Sequence, residues 1–368
     1  MFQVLKNLPI NIFNEYEGST IVKLFFYYLV FTFFRGLIDA GSSEDYINLF
    51  SSGVVIFFLY PLLIVLGTNK IVFFIMFDAY LRYGFLLTLL LLITTKDNGP
   101  LGFISTLSPD YYFVLITPYF KKYVRLIIYP FLLLLLVVDF TVRSNYINFI
   151  FCILISITYY YRFKSITKTI IKYARLFFFF IPFFFLFLSI FNGFNIFDIG
   201  SRFNSLVVED NTGKTQDLFI DTRTSVYKDV ILDLNKSNSI FFGLGANGKT
   251  MTTLVEDKNF DYNKIYHEGR RDSESGLLNL FQYGGIFLVL SYFLLLFKAS
   301  YLAIYKSRSW VSVMLGLWVS YNFLFSFIER PLIISVSNIF LFLVIGLCFN
   351  KRFRNLNDYT IKCYWYAK

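Results

Sequence analysis

Apolar residues in this chain fall in long runs, not in strict alternation or narrow helical stripes. A helix that crosses the hydrocarbon of a bilayer needs about 20 predominantly apolar residues. Ten stretches approach or reach that length: Ile21–Ile38, Ile47–Leu66, Ile71–Thr94, Leu101–Phe120, Tyr123–Val142, Asn145–Tyr161, Ala174–Asn192, Gly276–Phe297, Ser309–Ile328 and Ile333–Phe349. The fourth is interrupted by Ser108, Pro109 and Asp110, and a re-entrant geometry there changes the count by one. One polar stretch, 194–275, is long enough to form a small domain. The pattern therefore divides the chain into a transmembrane bundle over 1–193, a loop domain over 194–275, further transmembrane helices over 276–350 and a basic tail over 351–368. The expected fold is an all-α polytopic membrane protein of about ten transmembrane helices, with one large extracytoplasmic loop carrying short helices.

Composition agrees. The chain has 368 residues, 57% of them hydrophobic, and a mean hydropathy of +0.60. A soluble domain of this length has no interior large enough for that much apolar surface. Charged residues make up 16%, against roughly 25% in soluble proteins. Aromatic residues reach 22%, with 49 Phe and 28 Tyr. The net charge of +10 would raise nucleic acid as a partner in a soluble protein. Here the positive-inside rule accounts for it, so no nucleic acid is expected. Lys70, Lys121, Lys122, Arg162, Lys164, Lys168, Lys172, Lys298, Lys306, Arg308, Lys351, Arg352 and Arg354 occupy one alternate set of connections, while the other set holds little beyond Lys96 and Arg143. That bias predicts cytoplasmic termini and an extracytoplasmic 194–275 stretch. The N-terminus lacks the charge and apolar pattern of a removed signal peptide. Cys152, Cys348 and Cys363 show no disulfide or metal spacing.

Ionisable groups at membrane depth are costly and face a cavity or a partner. Asp78 and Arg82, four apart, share a helix face and can pair. Arg35, Arg143 and the Glu329–Arg330–Pro331 step stand near the outer ends of their spans. Snorkelling to headgroups explains any one of these arginines; together they suit a cationic mouth for a lipid-linked phosphate. In the loop, Arg223 opens a short amphipathic helix with Asp221 or Thr222 as cap and apolar residues at 226, 230, 231 and near 234. Tyr227 lies on the same helix. Gly243-Leu-Gly245-Ala-Asn247-Gly-Lys249-Thr250 matches the P-loop pattern. A nucleotide site needs a surrounding parallel sheet and a later acidic strand, for which the residues before the next span leave no room. A tight glycine turn that offers backbone N–H groups to an anion is the expected role. His267 is the sole histidine and a candidate general base, although a solvated loop histidine is the plainer reading. Arg270 and Arg271 suit bidentate phosphate contact. Asp272 or Glu274 can take a proton from a sugar hydroxyl. A solvated juxtamembrane collar of charge is the alternative for this run.

The order of these features resembles the O-antigen polymerase and ligase family of polytopic, lipid-carrier-using glycosyltransferases. The resemblance is carried by Arg223 at the head of a loop helix, by the Gly243-Leu-Gly245 turn and by Glu274-Ser-Gly-Leu-Leu-Asn-Leu-Phe-Gln-Tyr-Gly284-Gly285 at the entry to the eighth span. It covers residues 200–290 in detail and the remainder by span layout. Ligases of the family place a histidine where this chain has Glu274, with His267 seven residues too early; the departure favours the repeat-unit polymerase. The resemblance implies a GT-C-like architecture in the bacterial cytoplasmic membrane, a substrate on undecaprenyl pyrophosphate, and membrane lipid, a chain-length regulator and a flippase as partners. It requires no cofactor and no metal, although Asp272 with Glu274 leaves a cation open. The implied catalytic group is Arg223, Arg270, Arg271, Glu274 and His267. The implied substrate contacts are Arg35, Arg143, Tyr227, Gly243, Gly245, Asn247 and Arg330. A ligase of the same family and a lipid-linked oligosaccharide flippase or transporter are the alternatives.

Overall fold

The computed structural model describes residues 16–79, 83, 110–126, 128–130, 143–190, 207–209, 215–217, 223–251, 271, 273, 275–328 and 336–366. Helices dominate them. Helix α1 runs Ser19–Ile38. Helix α2 runs Ser43–Gly67 and contains two π-helical windings, Leu49–Gly53 and Val55–Leu59. It starts on a capping box, in which Ser42 accepts from the Asp45 amide and the Asp45 carboxylate accepts from the Ser42 amide. Helix α3 is Lys70–Ala79, α4 is Asp110–Ile116 followed by the 3₁₀ turn Thr117–Tyr119, α5 is Arg143–Ile157 and α6 is Ser165–Ile190. A two-stranded antiparallel ribbon pairs β1, Val207–Glu209, with β2, Thr215–Asp217. Then come α7, Arg223–Lys236, α8, Gly276–Tyr305, α9, Trp310–Ile328, and α10, Val336–Phe349. Two short helices close the chain: α11, Lys351–Arg354, and α12, Asp358–Tyr366.

Four of these helices are long and apolar enough to cross a membrane: α1, α2, α8 and α9. Residues 146–157 and 337–349 form shorter apolar helices. The third and fifth expected spans fall largely outside the described residues, as do residues 101–109 of the fourth and Arg82, the expected partner of Asp78. The described helical limits differ most from the hydropathy limits in two places. Helix α6 begins at Ser165, not Ala174, and α8 runs on to Tyr305, past Phe297. Apolarity marks where a helix enters hydrocarbon, whereas backbone hydrogen bonds extend the helix beyond it, where lysine stems reach water. The ribbon was not expected in the loop.

Exposed apolar side chains are organised as a membrane requires. On α1, Leu24, Tyr27, Phe31, Phe34 and Ile38 form an outward strip at helical spacing. On α6 the strip is Ile166, Ile170, Tyr173, Phe177, Phe180, Phe184 and Phe187. Such stripes facing water would be an aggregation surface; facing lipid they cost nothing. The centre of the bundle is α9, buried all round from Ser309 to Tyr321. It packs between α8, α6 and α10. Tyr321 stacks on Phe151 of α5 with ring centroids 3.9 Å apart and donates to Asn148 at 2.8 Å.

The connections rich in Lys and Arg gather at one end. Asn350 donates to the Thr68 carbonyl, the Arg308 amide to the Arg354 carbonyl at 2.8 Å, and the Trp310 indole to Thr158 at 3.2 Å. Arg162 pairs with Asp358 at 3.6 Å and Arg354 with Glu17 at 2.7 Å. Residues 223–251, 271, 273 and 275 of the loop pack at the other end. The described connections rich in Lys and Arg thus share one end.

Helices α2 and α10 approach at backbone distance. A Cβ added at Gly346 would meet the Ile64 carbonyl oxygen, and one at Gly67 would meet the Leu343 carbonyl oxygen. Small residues at membrane-helix contacts allow this approach. Gly346→Leu is therefore expected to cost about 1–3 kcal/mol, read as a lower melting temperature in detergent. Gly53→Ala, where a Cβ finds only ordinary contacts of 3.5 Å or more, should leave the melting temperature unchanged.

Candidate functional site

Helix α8 is broken near its start. Gly285 adopts φ 64°, ψ −162° inside the helix, a region that side chains other than glycine's rarely enter. The break detaches the Gln282, Tyr283 and Gly284 carbonyls from the Ile286, Phe287 and Leu288 amides that would normally serve them. In a membrane every such group must find a partner within the protein. The loop supplies most of them. The Leu244 amide donates to the Gln282 carbonyl at 2.8 Å, and the Gly245 amide donates to the Tyr283 carbonyl at 2.9 Å. The Ile286 and Phe287 amides donate to the Ile240 and Phe241 carbonyls at 2.9 and 3.3 Å. Tyr28, from α1, donates to the Gly284 carbonyl at 2.9 Å.

Contact this close admits no side chains. Gly243 and Gly245 have φ 68° and 82°. A Cβ at Gly243 would strike the Tyr283 carbonyl and the Gly284 amide, one at Gly245 the Gly36 backbone, and one at Gly285 the Phe241 carbonyl. The turn also binds α1: the Ala246 amide donates to the Thr32 carbonyl at 3.1 Å, and Asn247 donates to the Gly36 carbonyl at 3.1 Å. Arg35 donates to the Phe242 carbonyl at 2.6 Å with its guanidinium 6.0 Å from the centre of the Phe31 ring. The amides of residues 243, 244, 245, 246 and 248 are all engaged by protein carbonyls. This corrects the expectation of a turn that offers its amides to an anion. Lys249, the lysine of the P-loop pattern, faces Asp45 at 3.6 Å.

Helix α7 lies over the start of α8. Val226, Val230 and Leu234, at i, i+4 and i+8, are buried together with Leu278. Ile231, expected on the same face, is 46% exposed. Tyr227 ties α7 to the bundle: its hydroxyl is 2.7 Å from the Ser275 hydroxyl and donates to the Phe327 carbonyl at 2.8 Å. Arg223 forms the first turn of α7, one turn before Tyr227. The last turn of the loop before α8 is held by Asn279, which accepts from the Ser273 amide and hydroxyl at 2.6 and 2.7 Å and donates to the Ser273 carbonyl at 3.1 Å. Gln282 spans both loop segments, donating to the Gly248 and Arg271 carbonyls at 2.8 and 3.0 Å.

Arg271 donates to Asp45 at 2.8 Å and lies 3.4 Å from Glu44. Asp45 therefore joins Arg271, Lys249 and the Gly41 and Ser42 amides at the start of α2. The Arg271 charge is largely matched by neighbouring carboxylates and is not an open cation.

Of the residues singled out by sequence, Arg35, Tyr227, Gly243, Gly245, Asn247 and Arg271 are brought together at one end of the bundle, and the first turn of α7, headed by Arg223, lies on the same junction. Arg143 is the first residue of α5. His267, Arg270, Asp272, Glu274 and Arg330 lie outside the described residues. Gln282, Asn279, Tyr28, Glu44 and Asp45 belong to the junction and were not singled out. Asp45 had a signal, as the third residue after Ser42 in a capping-box spacing. Gln282 and Asn279 had one too, as polar residues early in an apolar span. This chain matches no protein-family model, no characterised protein and no solved structure.

If the glycine break carries the docking, Gly285→Ala should release the 240–246 segment. Limited proteolysis of the detergent-solubilised protein is expected to cut within 237–251 faster in that variant than in the wild type. Gly41→Ala, which meets nothing within 4 Å, should cut at the wild-type rate. Equal rates in all three would separate the break from loop docking.

Proposed function

We propose that this protein polymerises oligosaccharide repeat units carried on undecaprenyl pyrophosphate, at the outer face of a bacterial cytoplasmic membrane. The supporting observation is the junction of the Gly243-Leu-Gly245 turn with Gly284–Gly285. These two motifs, separated in sequence, carry the resemblance to the O-antigen polymerase and ligase family, and they are bonded to each other through backbone. The same junction sets the arginine-led helix α7 over the entry to α8.

In the proposed reaction the hydroxyl oxygen of an acceptor sugar attacks the anomeric carbon of a donor glycan. The bond between that carbon and the pyrophosphate oxygen breaks, and undecaprenyl pyrophosphate leaves with the electron pair. The hydroxyl proton passes to a base, for which Glu274 and His267 are the candidates. Stabilisation of charge developing on the leaving diphosphate is the largest demand on such a site, and guanidinium groups meet it in bidentate geometry. The pairing of Arg271 with Asp45 assigns it to positioning of the 271–275 segment. Arg223 and Arg270 then carry the phosphate contact. Arg35 and Asn247 hold the turn to α1, while Arg143 and Arg330 remain weaker candidates.

A transporter is the reading that one observation favours, because broken membrane helices are common at transporter binding sites. In transporters the freed backbone groups face a cavity and coordinate the cargo. Here the carbonyls of residues 282–284 and the amides of 286 and 287 are taken by the loop and Tyr28, which leaves them no cargo to hold. That weighs toward the enzyme.

The test is reconstitution of purified protein with a repeat unit on undecaprenyl pyrophosphate. A glycan ladder should form without nucleotide. Arg223→Ala should abolish it while membrane insertion stays intact, and Arg223→Lys should restore little, because a lysine cannot replace bidentate contact. Wild-type chain lengths from Arg223→Ala, or a ladder that requires ATP, would overturn the reading. In cells, loss of a polymerase leaves single repeat units on the acceptor; loss of a ligase leaves none.

A further inference from the structure

We propose that the bundle carries a second site, at the end opposite the described loop residues 223–251, that binds a phosphate-bearing anion. This rests on different residues from the reading above and stands independently of it. A cavity of about 340 Å³ opens where the turn after α5, the first turns of α6 and the α8–α9 connection meet. Arg162, Lys168, Lys172 and Arg308 line it, and among the described residues Asp358 is the one carboxylate that does.

That carboxylate is already committed. Asp358 accepts from the Tyr119 hydroxyl at 2.6 Å and from the Trp310 amide, the first of α9, at 2.7 Å; Arg162 stands 3.6 Å away. Arg162 is further fixed by the Tyr159 carbonyl at 2.9 Å and lies over the Tyr159 and Phe163 rings at 4.0 and 4.4 Å. Lys168 and Lys172, four apart, share one face of α6. Lys172 has a ring for company, Tyr305 at 5.3 Å. Among the described residues neither Lys168 nor Arg308 makes an ion pair. One turn deeper, Arg175 is 2% exposed and bonded to the Ser300 hydroxyl and Phe297 carbonyl at 2.9 and 2.8 Å, with no carboxylate paired to it among the described residues.

The tendency of lysine and arginine to stay on the cytoplasmic side explains why cations are abundant at this end. It does not explain why four from three separate segments converge on one concavity. Like charges placed around a cavity repel unless a counter-anion enters. A phosphate offers oxygens to several donors at once, and the volume suits a small headgroup. The lining comes from the ends of membrane helices and includes Trp310 and Tyr305, residue types of the headgroup level. Basic pockets between helices at that level hold anionic lipid headgroups. A membrane phospholipid can therefore present the phosphate, as can a soluble phosphate compound.

The experiment uses the full chain in neutral detergent. Native mass spectrometry reads binding of phosphatidylglycerol against phosphatidylcholine, and the melting temperature reads protection by inorganic phosphate. The wild type should prefer phosphatidylglycerol, and K168Q/R308Q should weaken that binding by at least about tenfold. K164Q/K298Q, which removes two cations from positions outside the cavity lining, should not weaken it. Should K168Q/R308Q fail to insert, K168Q alone is expected to show the same direction of loss. Protection by inorganic phosphate that K168Q/R308Q abolishes would assign the site to phosphate from either source; an effect of phosphatidylglycerol alone would assign it to a lipid headgroup. Equal loss in both double variants, or a wild type that neither prefers phosphatidylglycerol nor gains from phosphate, overturns the proposal.

Discussion

The structure depends on a gap in one helix and on what fills it. At Gly285 helix α8 turns out of its own hydrogen-bonding pattern, and the 240–245 segment takes over the bonds the helix gives up. A buried polar group left without a partner costs about 1–3 kcal/mol, and in hydrocarbon the cost is higher. The break and the loop therefore stabilise each other. Without the loop, α8 has every reason to close into a straight helix; without the break, the loop has no polar surface in the bundle to bond to.

This constraint organises the surroundings. Three glycines at positive φ, Gly243, Gly245 and Gly285, meet where backbones touch. Helix α1 contributes the Thr32 and Gly36 carbonyls and the Tyr28 hydroxyl, so it is fixed to the same point. Helix α7 covers it from outside through Val226, Val230 and Leu234. The Lys249–Asp45–Arg271 cluster then closes the ring by tying residues 249 and 271 of the loop to the start of α2. A polar segment thereby becomes part of a membrane bundle, and residues far apart in sequence are held at fixed positions.

The two ends of the molecule handle charge differently. At the loop end, Arg271 and Lys249 meet Asp45, with Glu44 beside Arg271. At the opposite end, four cations line a cavity whose one carboxylate among the described residues already accepts two other hydrogen bonds. Matched charge holds elements together, whereas unmatched charge is a demand for a ligand.

Much of the organisation was legible in the sequence. Long apolar runs identified the membrane helices that are described, because hydrocarbon admits no other composition. The alternation of Lys and Arg among the connections anticipated which ones share an end. The helix from Arg223, with Val226 and Val230 inward, followed from its apolar spacing. Glycine spacing marked Gly243, Gly245, Gly284 and Gly285, since glycine is the residue for close backbone approach. Their partners were not legible. That the turn bonds the break in α8, and spends its amides there instead of on an anion, depends on contacts between residues some 40 positions apart, which no local pattern encodes. Nor did the sequence disclose that Arg271 is matched by Asp45, or that Arg162, Lys168, Lys172 and Arg308 converge on one cavity. Local composition decides what each segment can be, but pairing is a property of distance in three dimensions, and only the packed bundle sets that.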